Sequence, residues 1–258
     1  MERAVFESEF PRLRAALVGY LYRLTTNRDD AEDLAQETYL KAIRGLPGFD
    51  GRSSLKTWVF AIATNLARDH ARVRKRFYED SQDCCRTRTQ ASPEKVAVMR
   101  ERVTAGAPEQ YDFREHIDFC FTCITKSLPI EQQLAVMLKE IYQFKLADMV
   151  EILASTEGRV KHALADGRRV LRDVYDRRCA LVNKKGACEQ CSEVAGFVNP
   201  RADEQKARMA LEGKPPEEMM RLRTALIRGV DPLNASATPL HEYMLGLIEE
   251  TADEQAVR

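Results

Sequence analysis

Apolar residues between positions 8 and 46 recur at three- and four-residue spacing. Leu13, Leu17, Tyr20, Leu21 and Leu24 form one series, and Ala31, Leu34, Ala35, Thr38, Tyr39, Ala42 and Ile43 form a second. This periodicity predicts two amphipathic helices, broken near Thr25-Thr26-Asn27. Asn27 or Asp29 is placed to cap the second helix, whose first turn is acidic and matches the helix dipole. Gly45, Pro47, Gly48 and Gly51 then predict a loop. Ser53 or Ser54 caps a third helix, with Leu55, Trp58, Val59, Ile62, Ala63 and Leu66 on one face, running on into a basic tail at Arg76. Trp58 is expected in the core.

Residues 77–112 are polar, carry Pro93, Gly106 and Pro108, and show one short helical patch near Glu94–Val103, so they read as an extended linker. Helical periodicity resumes at Phe113 with Ile117, Phe121, Ile124 and Leu128. Past Pro129 it continues through Leu134, Val136, Met137, Leu138, Ile141 and Tyr142. Two more apolar stripes, Leu146–Leu153 and Val160–Val174, flank Ala154-Ser155-Thr156-Glu157. That order matches two helices joined by a tight turn, the second richer in Arg and Lys, which is the helix-turn-helix pattern. Beyond Cys179 lies a cysteine-bearing segment, Asn183–Asn199, then weakly helical acidic stretches around Pro215-Pro216, Pro232 and Pro239. No run has strand periodicity and no repeat recurs. The expected architecture is all-α: a helical domain over 8–78, a linker over 79–112, a second helical domain over 113–178 and a C-terminal extension over 179–258.

The formal net charge of zero hides an uneven distribution. Lys56–Tyr78 holds six Lys/Arg against Asp69 alone, whereas Arg201–Arg258 holds eight basic and eleven acidic residues. The first stretch suits nucleic acid and the second forms an acidic tail. No apolar run approaches the ~20 residues of a membrane span, and Glu2, Arg3, Glu7 and Glu9 interrupt the start where a signal peptide would be apolar. A cytoplasmic protein without a membrane partner is the expectation. In a reducing compartment, the seven cysteines point to metal, redox sensing or buried thiols rather than a disulfide scaffold.

The run Asp29–Ile43 (DDAEDLAQETYLKAI) followed by Phe49–Arg76 (FDGRSSLKTWVFAIATNLARDHARVRKR) resembles region 2 of bacterial RNA polymerase sigma factors of the extracytoplasmic-function kind, within the sigma-70 superfamily. The segment Ser127–Asp173 is similar to region 4 of that family. The likeness covers roughly residues 8–78 and 113–175, and the region 2 motif is the more specific. It implies a non-enzymatic subunit that binds core RNA polymerase, recognises the −35 and −10 promoter elements and starts promoter-specific transcription. Nucleotide addition would belong to the core enzyme.

On that resemblance, Asp30, Glu32, Asp33, Gln36 and Glu37 would dock on the clamp of the polymerase, with a second contact at its flap. Phe49, Arg52, Ser53, Ser54 and Asn65 would hold a base of the −10 element taken out of the stack. Extrusion costs a few kcal/mol, which stacking and base-edge hydrogen bonds must offset. Arg68, Arg72, Arg74, Lys75 and Arg76 would follow the DNA backbone. In the second domain Glu157, Arg159, Lys161, His162, Arg168 and Arg169 would face the −35 element, although Ala163, Ala165 and Asp166 stand where the family commonly has basic or aromatic residues. The linker would thread a polymerase channel.

Two CxxC pairs, Cys120/Cys123 and Cys188/Cys191, have the spacing at which thiolates converge on one tetrahedral zinc. They lie some 65 residues apart, so the fold must join them if they share a structural Zn²⁺. Buried apolar thiols on a helix are the competing reading for Cys120 and Cys123. Cys84 and Cys85 are expected to stay free. Apolar stretches around Met219–Ile227 and Leu240–Ile248 suit docking on either domain or on a separate regulatory protein such as an anti-sigma factor, and Glu249, Glu250, Asp253 and Glu254 suit competition with DNA for basic surface. A stand-alone helix-turn-helix regulator with a metal- or redox-sensing tail would explain residues 113–191 but leaves Asn27–Arg76 without a purpose. A thiol oxidoreductase lacks the βαβ scaffold that activates such a thiol.

Overall fold

The computed structural model describes residues 1–73, 77–78, 80–105, 112–178, 214–236 and 238–255. Every regular element among the described residues is helical, as the periodicity requires. The chain divides into two compact units, Met1–Arg74 with Pro129–Gly167, and Lys75–Leu128 with Arg168–Arg258.

In the first unit α1 (Arg3–Thr25), α2 (Arg28–Gly45) and α3 (Leu55–Val73) form a three-helix bundle. α1 stops where Thr26 turns left-handed at φ 63° and its N–H returns to the Tyr22 carbonyl. The Asn27 side chain then caps α2 by accepting from the Asp30 N–H at 3.0 Å. Phe6 and Phe10 pack on Tyr39 at 5.8 and 5.0 Å between centroids, closing one end of the bundle.

The same unit includes α7 (Ile130–Val136), a π-helical turn over Met137–Ile141, α8 (Leu146–Ile152) and the start of α9 (Glu157–Arg178). Both α7 and α8 pack on α3, so α3 is covered on two sides. Val59, Ala63 and Leu66 are buried, and so are Phe60, Thr64 and Ala67. One apolar stripe was expected on this helix; a helix sandwiched between neighbours buries more of its circumference. Trp58 is half-buried rather than central: it covers Phe49 and lies so close to Gly45 that an added Cβ would come within 3.1 Å of its ring. α9 meets α7 more tightly still. A Cβ at Gly167 would fall 2.6 Å from Val136 Cγ2 and 3.2 Å from the Gln132 carbonyl oxygen, so any larger residue there would force α7 or its side chains to shift.

The second unit departs from the expected partition. Residues 79–112, read as an extended linker, contain α4 (Ser81–Gln90) and α5 (Pro93–Ala105). α6 (Phe113–Lys126), expected to open the second domain, joins them rather than α7–α9. The extension supplies α10 (Pro216–Ile227) and α11 (Thr238–Gln255), with α11 against α4, α5 and α6 and α10 against α6. The physical reason is apolar burial: Cys85 and Met99 from the polar stretch share the core with Phe121, Met219, Ile227, Met244 and Ile248. Glu250 and Glu254, expected to compete with DNA, pair instead with Lys95 (3.1 Å) and Arg88. His241 stacks on Phe119 at 4.7 Å and sits 5.9 Å from His116. Burial, and then His116, push its pKa well below the ordinary histidine value, so it is held neutral.

Candidate nucleic-acid interface

The site is built around the loop that enters α3. Asp50 accepts from the Arg52 N–H at 3.1 Å, and Gly51 takes φ +76°, so a tight turn carries the chain from Phe49 to Ser54. The Arg52 N–H, with the Arg52 charge beside it, lowers the Asp50 pKa. Ser54, one of the two serines expected at the cap, accepts from the Thr57 N–H at 3.0 Å and starts the helix. Phe49 lies on Trp58 at 4.9 Å, packed onto its own helix rather than projecting. Arg52 and Ser54 are exposed, Ser53 half-buried.

Asn65 stands exposed one turn before Arg68, whose Nη1 donates to its Oδ1 at 3.1 Å. Arg68 does not face solvent as expected. Its Nε and Nη2 each donate to one oxygen of Glu131 at 2.8 Å, and Nη2 also donates to the Leu153 carbonyl at 2.9 Å. Arg72 is exposed and pairs with Asp69 at 2.6 Å. Arg74, Lys75 and Arg76 lie outside the described residues.

On α2, Asp33, Gln36 and Glu37 are exposed. Asp30 lies 3.1 Å from His70 of α3, and Glu32 pairs with Arg14 of α1, so both carboxylates brace the bundle. α9 starts at Glu157, and Arg159, Lys161, His162, Arg168 and Arg169 are all exposed along it. Lys161 pairs with Glu157 at 2.5 Å. Ala154, at φ 45°, makes the turn between α8 and α9.

The four cysteines among the described residues are free thiols. Burial raises the pKa of Cys85 and Cys84, the opposite of an activated thiolate. Cys120 and Cys123 are three apart on α6, the second buried, and among the described residues no group of three or more His, Cys, Asp or Glu is placed to hold a metal. Cys188 and Cys191 lie outside the described residues.

Sequence reasoning missed Glu131, Asp148, Lys56 and Phe144. The Lys56 Nζ sits 4.6 Å from the Phe144 ring, and burial lowers its pKa while Asp148 pulls it back up. Glu131, just after Pro129, reads in the sequence as an ordinary first-turn acid of α7, and nothing ties it to an arginine 63 residues earlier. No local signal marks such a pair.

This assembly, a three-helix bundle with a turn leading into an asparagine- and arginine-bearing helix, is a sigma-70 region 2: residues 10–77 match that family. Over 184 residues the chain is 29% identical to the ECF RNA polymerase sigma factor SigG of Mycobacterium tuberculosis, covering 67% of this chain and 49% of that protein. It is 30% identical over 153 residues to the ECF RNA polymerase sigma factor SigW of Bacillus subtilis, covering 58% of this chain and 78% of that protein. A solved structure of the sigma factor RpoE in complex with the anti-sigma factor NepR from Bartonella quintana aligns with TM-score 0.46 and 23% identity, over 66% of this chain and 96% of that one. The chain thus spans about half the length of SigG and most of SigW. It belongs to the extracytoplasmic-function RNA polymerase sigma factors. No helix among the described residues is long and apolar enough to cross a membrane.

Proposed function

We propose that this chain binds core RNA polymerase, directs it to promoters and opens their −10 region. The observation that carries this reading is the run from Phe49 to Arg72, where a tight turn bearing Arg52 leads into a helix that carries an exposed asparagine, Asn65, and two arginines, Arg68 and Arg72. Asn65 offers both donor and acceptor to the edge of an extruded base. Arg52, Arg68 and Arg72, with Arg74, Lys75 and Arg76, neutralise the melting strand. Exposed Asp33, Gln36 and Glu37 on α2 give the polymerase clamp an acidic surface that sets orientation and association rate. Arg159, Lys161, His162, Arg168 and Arg169 on α9 suit guanine edges and phosphates in the major groove of a −35 element.

Run-off transcription with purified core polymerase tests the proposal. Promoter-specific transcripts should appear only when the chain is added. Their yield should fall steeply as salt rises, because several phosphate contacts release counterions. Equal transcription with core alone would overturn it.

A structural zinc held by Cys120, Cys123, Cys188 and Cys191 belongs to the same reading. Its support is the helical spacing of Cys120 and Cys123 and the second CxxC pair in the chain; the described residues supply only two ligands. Four thiolates would complete a tetrahedral site and add folding energy to the second unit. Metal analysis should find about one zinc per chain, lost with Cys188→Ser together with a lower melting temperature. A metal-free chain of unchanged stability removes the zinc.

A further inference from the structure

We infer that α11 governs the reach of the connector between the two DNA-reading parts of the chain, because its docking is what holds residues 81–105 as α4 and α5. The inference rests on the function proposed above and adds a regulatory state to it. Neither helix can stand on its own side chains. α4 has ten residues and α5 thirteen, and helices shorter than about 12–15 residues are marginal in water without tertiary cover. The buried face of α4 is Ser81, Cys85 and Thr89, stacked at four-residue spacing, and α5 buries Met99. One thiol and one thioether are little apolar surface to hold two helices.

The cover comes from α11, which packs on α4, α5 and α6. Its first half is anchored to α6, where His241 stacks on Phe119 at 4.7 Å. Its second half lies over the connector. Thr251 hydrogen-bonds Cys85, Glu250 pairs with Lys95 of α5 at 3.1 Å, and Glu254 pairs with Arg88 of α4. Glu250 and Glu254 stand one turn apart, so one short stretch of α11 clasps both arms of the connector. Met244, Leu247 and Ile248, buried along the same helix, supply the apolar surface that α4 and α5 lack.

The consequence is a change of length. At 1.5 Å per residue α4 and α5 measure about 15 and 20 Å, and they pack on each other. The same residues drawn out at ~3.3 Å each span roughly 75 Å. A −10 and a −35 element lie about 25 base pairs apart, roughly 85 Å of duplex at ~3.4 Å per step. With α11 docked the connector is folded short, and with α11 lifted it can extend toward that distance. The clasping carboxylates Glu250 and Glu254 are 63% and 52% exposed, so a competing surface can take them without first entering the core.

The test uses the full chain and amide hydrogen exchange read by mass spectrometry, without polymerase or DNA. Glu250→Lys together with Glu254→Lys should speed exchange in residues 81–105 about three- to tenfold, the effect of turning two exposed attractions into repulsions. Exchange in α1–α3 should not change. Adding the reciprocal Arg88→Glu and Lys95→Glu should restore the slow rates, which a merely destabilised fold would not do. Ile248→Asp, which spoils the apolar cover, should leave residues 81–105 unprotected. If the charge-reversed chain and Ile248→Asp both protect these residues as well as wild type does, α11 does not hold the connector and the inference is overturned. With core polymerase at limiting chain, the charge-reversed chain should yield about three- to tenfold more promoter transcript than wild type. Equal yields would remove α11 from any role in reach. No promoter-specific transcript from any of these chains would sink the proposed function, whereas the exchange rates alone decide whether α11 holds α4 and α5.

Discussion

Replacing Phe60 with alanine is expected to lower stability by about 3–5 kcal/mol, the range for removing a fully buried aromatic from a core. Phe60 is wholly buried and touches Tyr20, Tyr142 and Phe144 at 5.2, 5.5 and 5.0 Å. Its removal therefore opens a cavity where α1, α3 and the α7–α8 segment meet. Tyr20 cannot turn to fill the space, because its hydroxyl is bonded to Thr64 at 2.9 Å inside the core. Urea titration should show a midpoint drop with little change in slope. Phe60→Leu should retain most of the stability. If the alanine variant loses under 1 kcal/mol, far below the buried-aromatic range, the aromatic cluster is not a core.

Asn65→Ala is expected to reduce promoter opening about ten- to hundredfold, the worth of one good base-edge interaction, while leaving closed-complex binding within about twofold. The asymmetry follows from where the residue acts: a flipped base exists only after strand separation, whereas initial binding draws on phosphates and the −35 contact. Permanganate reactivity of unpaired thymines measures the first step and gel retardation at low temperature the second. Equal loss in both would remove Asn65 as the base reader. Because Asn65 is exposed and bonds only at the end of Arg68, this loss should come without a change in melting temperature.

The helices of residues 3–73 were legible because local rules fix them. Asn27 and Ser54 cap where caps were expected, and the glycine-containing turn between α2 and α3 falls where Gly45, Pro47, Gly48 and Gly51 place it. The turn before Glu157 was equally readable. What escaped the sequence were features set by partners distant along the chain. α4 is polar at every position but Cys84 and Cys85, so its pattern looks like a solvated tether until α11 covers Cys85 and Thr89. Phe60 lay off the expected stripe because α3 is enclosed twice. The candidate site shows the same division. Its residues could be named from a motif, but the engagement of Arg68 by Glu131 depends on a packing that no local spacing encodes.

The path of the chain through its two units carries a consequence for synthesis. The first unit needs Tyr142 and Phe144 to finish the aromatic cluster begun by Tyr20 and Phe60, and the second needs α11, at the far end, to cover α4 and α5. While a nascent chain is still emerging from the ribosome, α1–α3 must wait roughly seventy residues for their cover, and such non-local closure is slow. During that interval the basic and aromatic face of α3 stands open to whatever polyanion is nearby. A chaperone or the polymerase itself, reaching the growing polypeptide first, would meet the protein before it has closed.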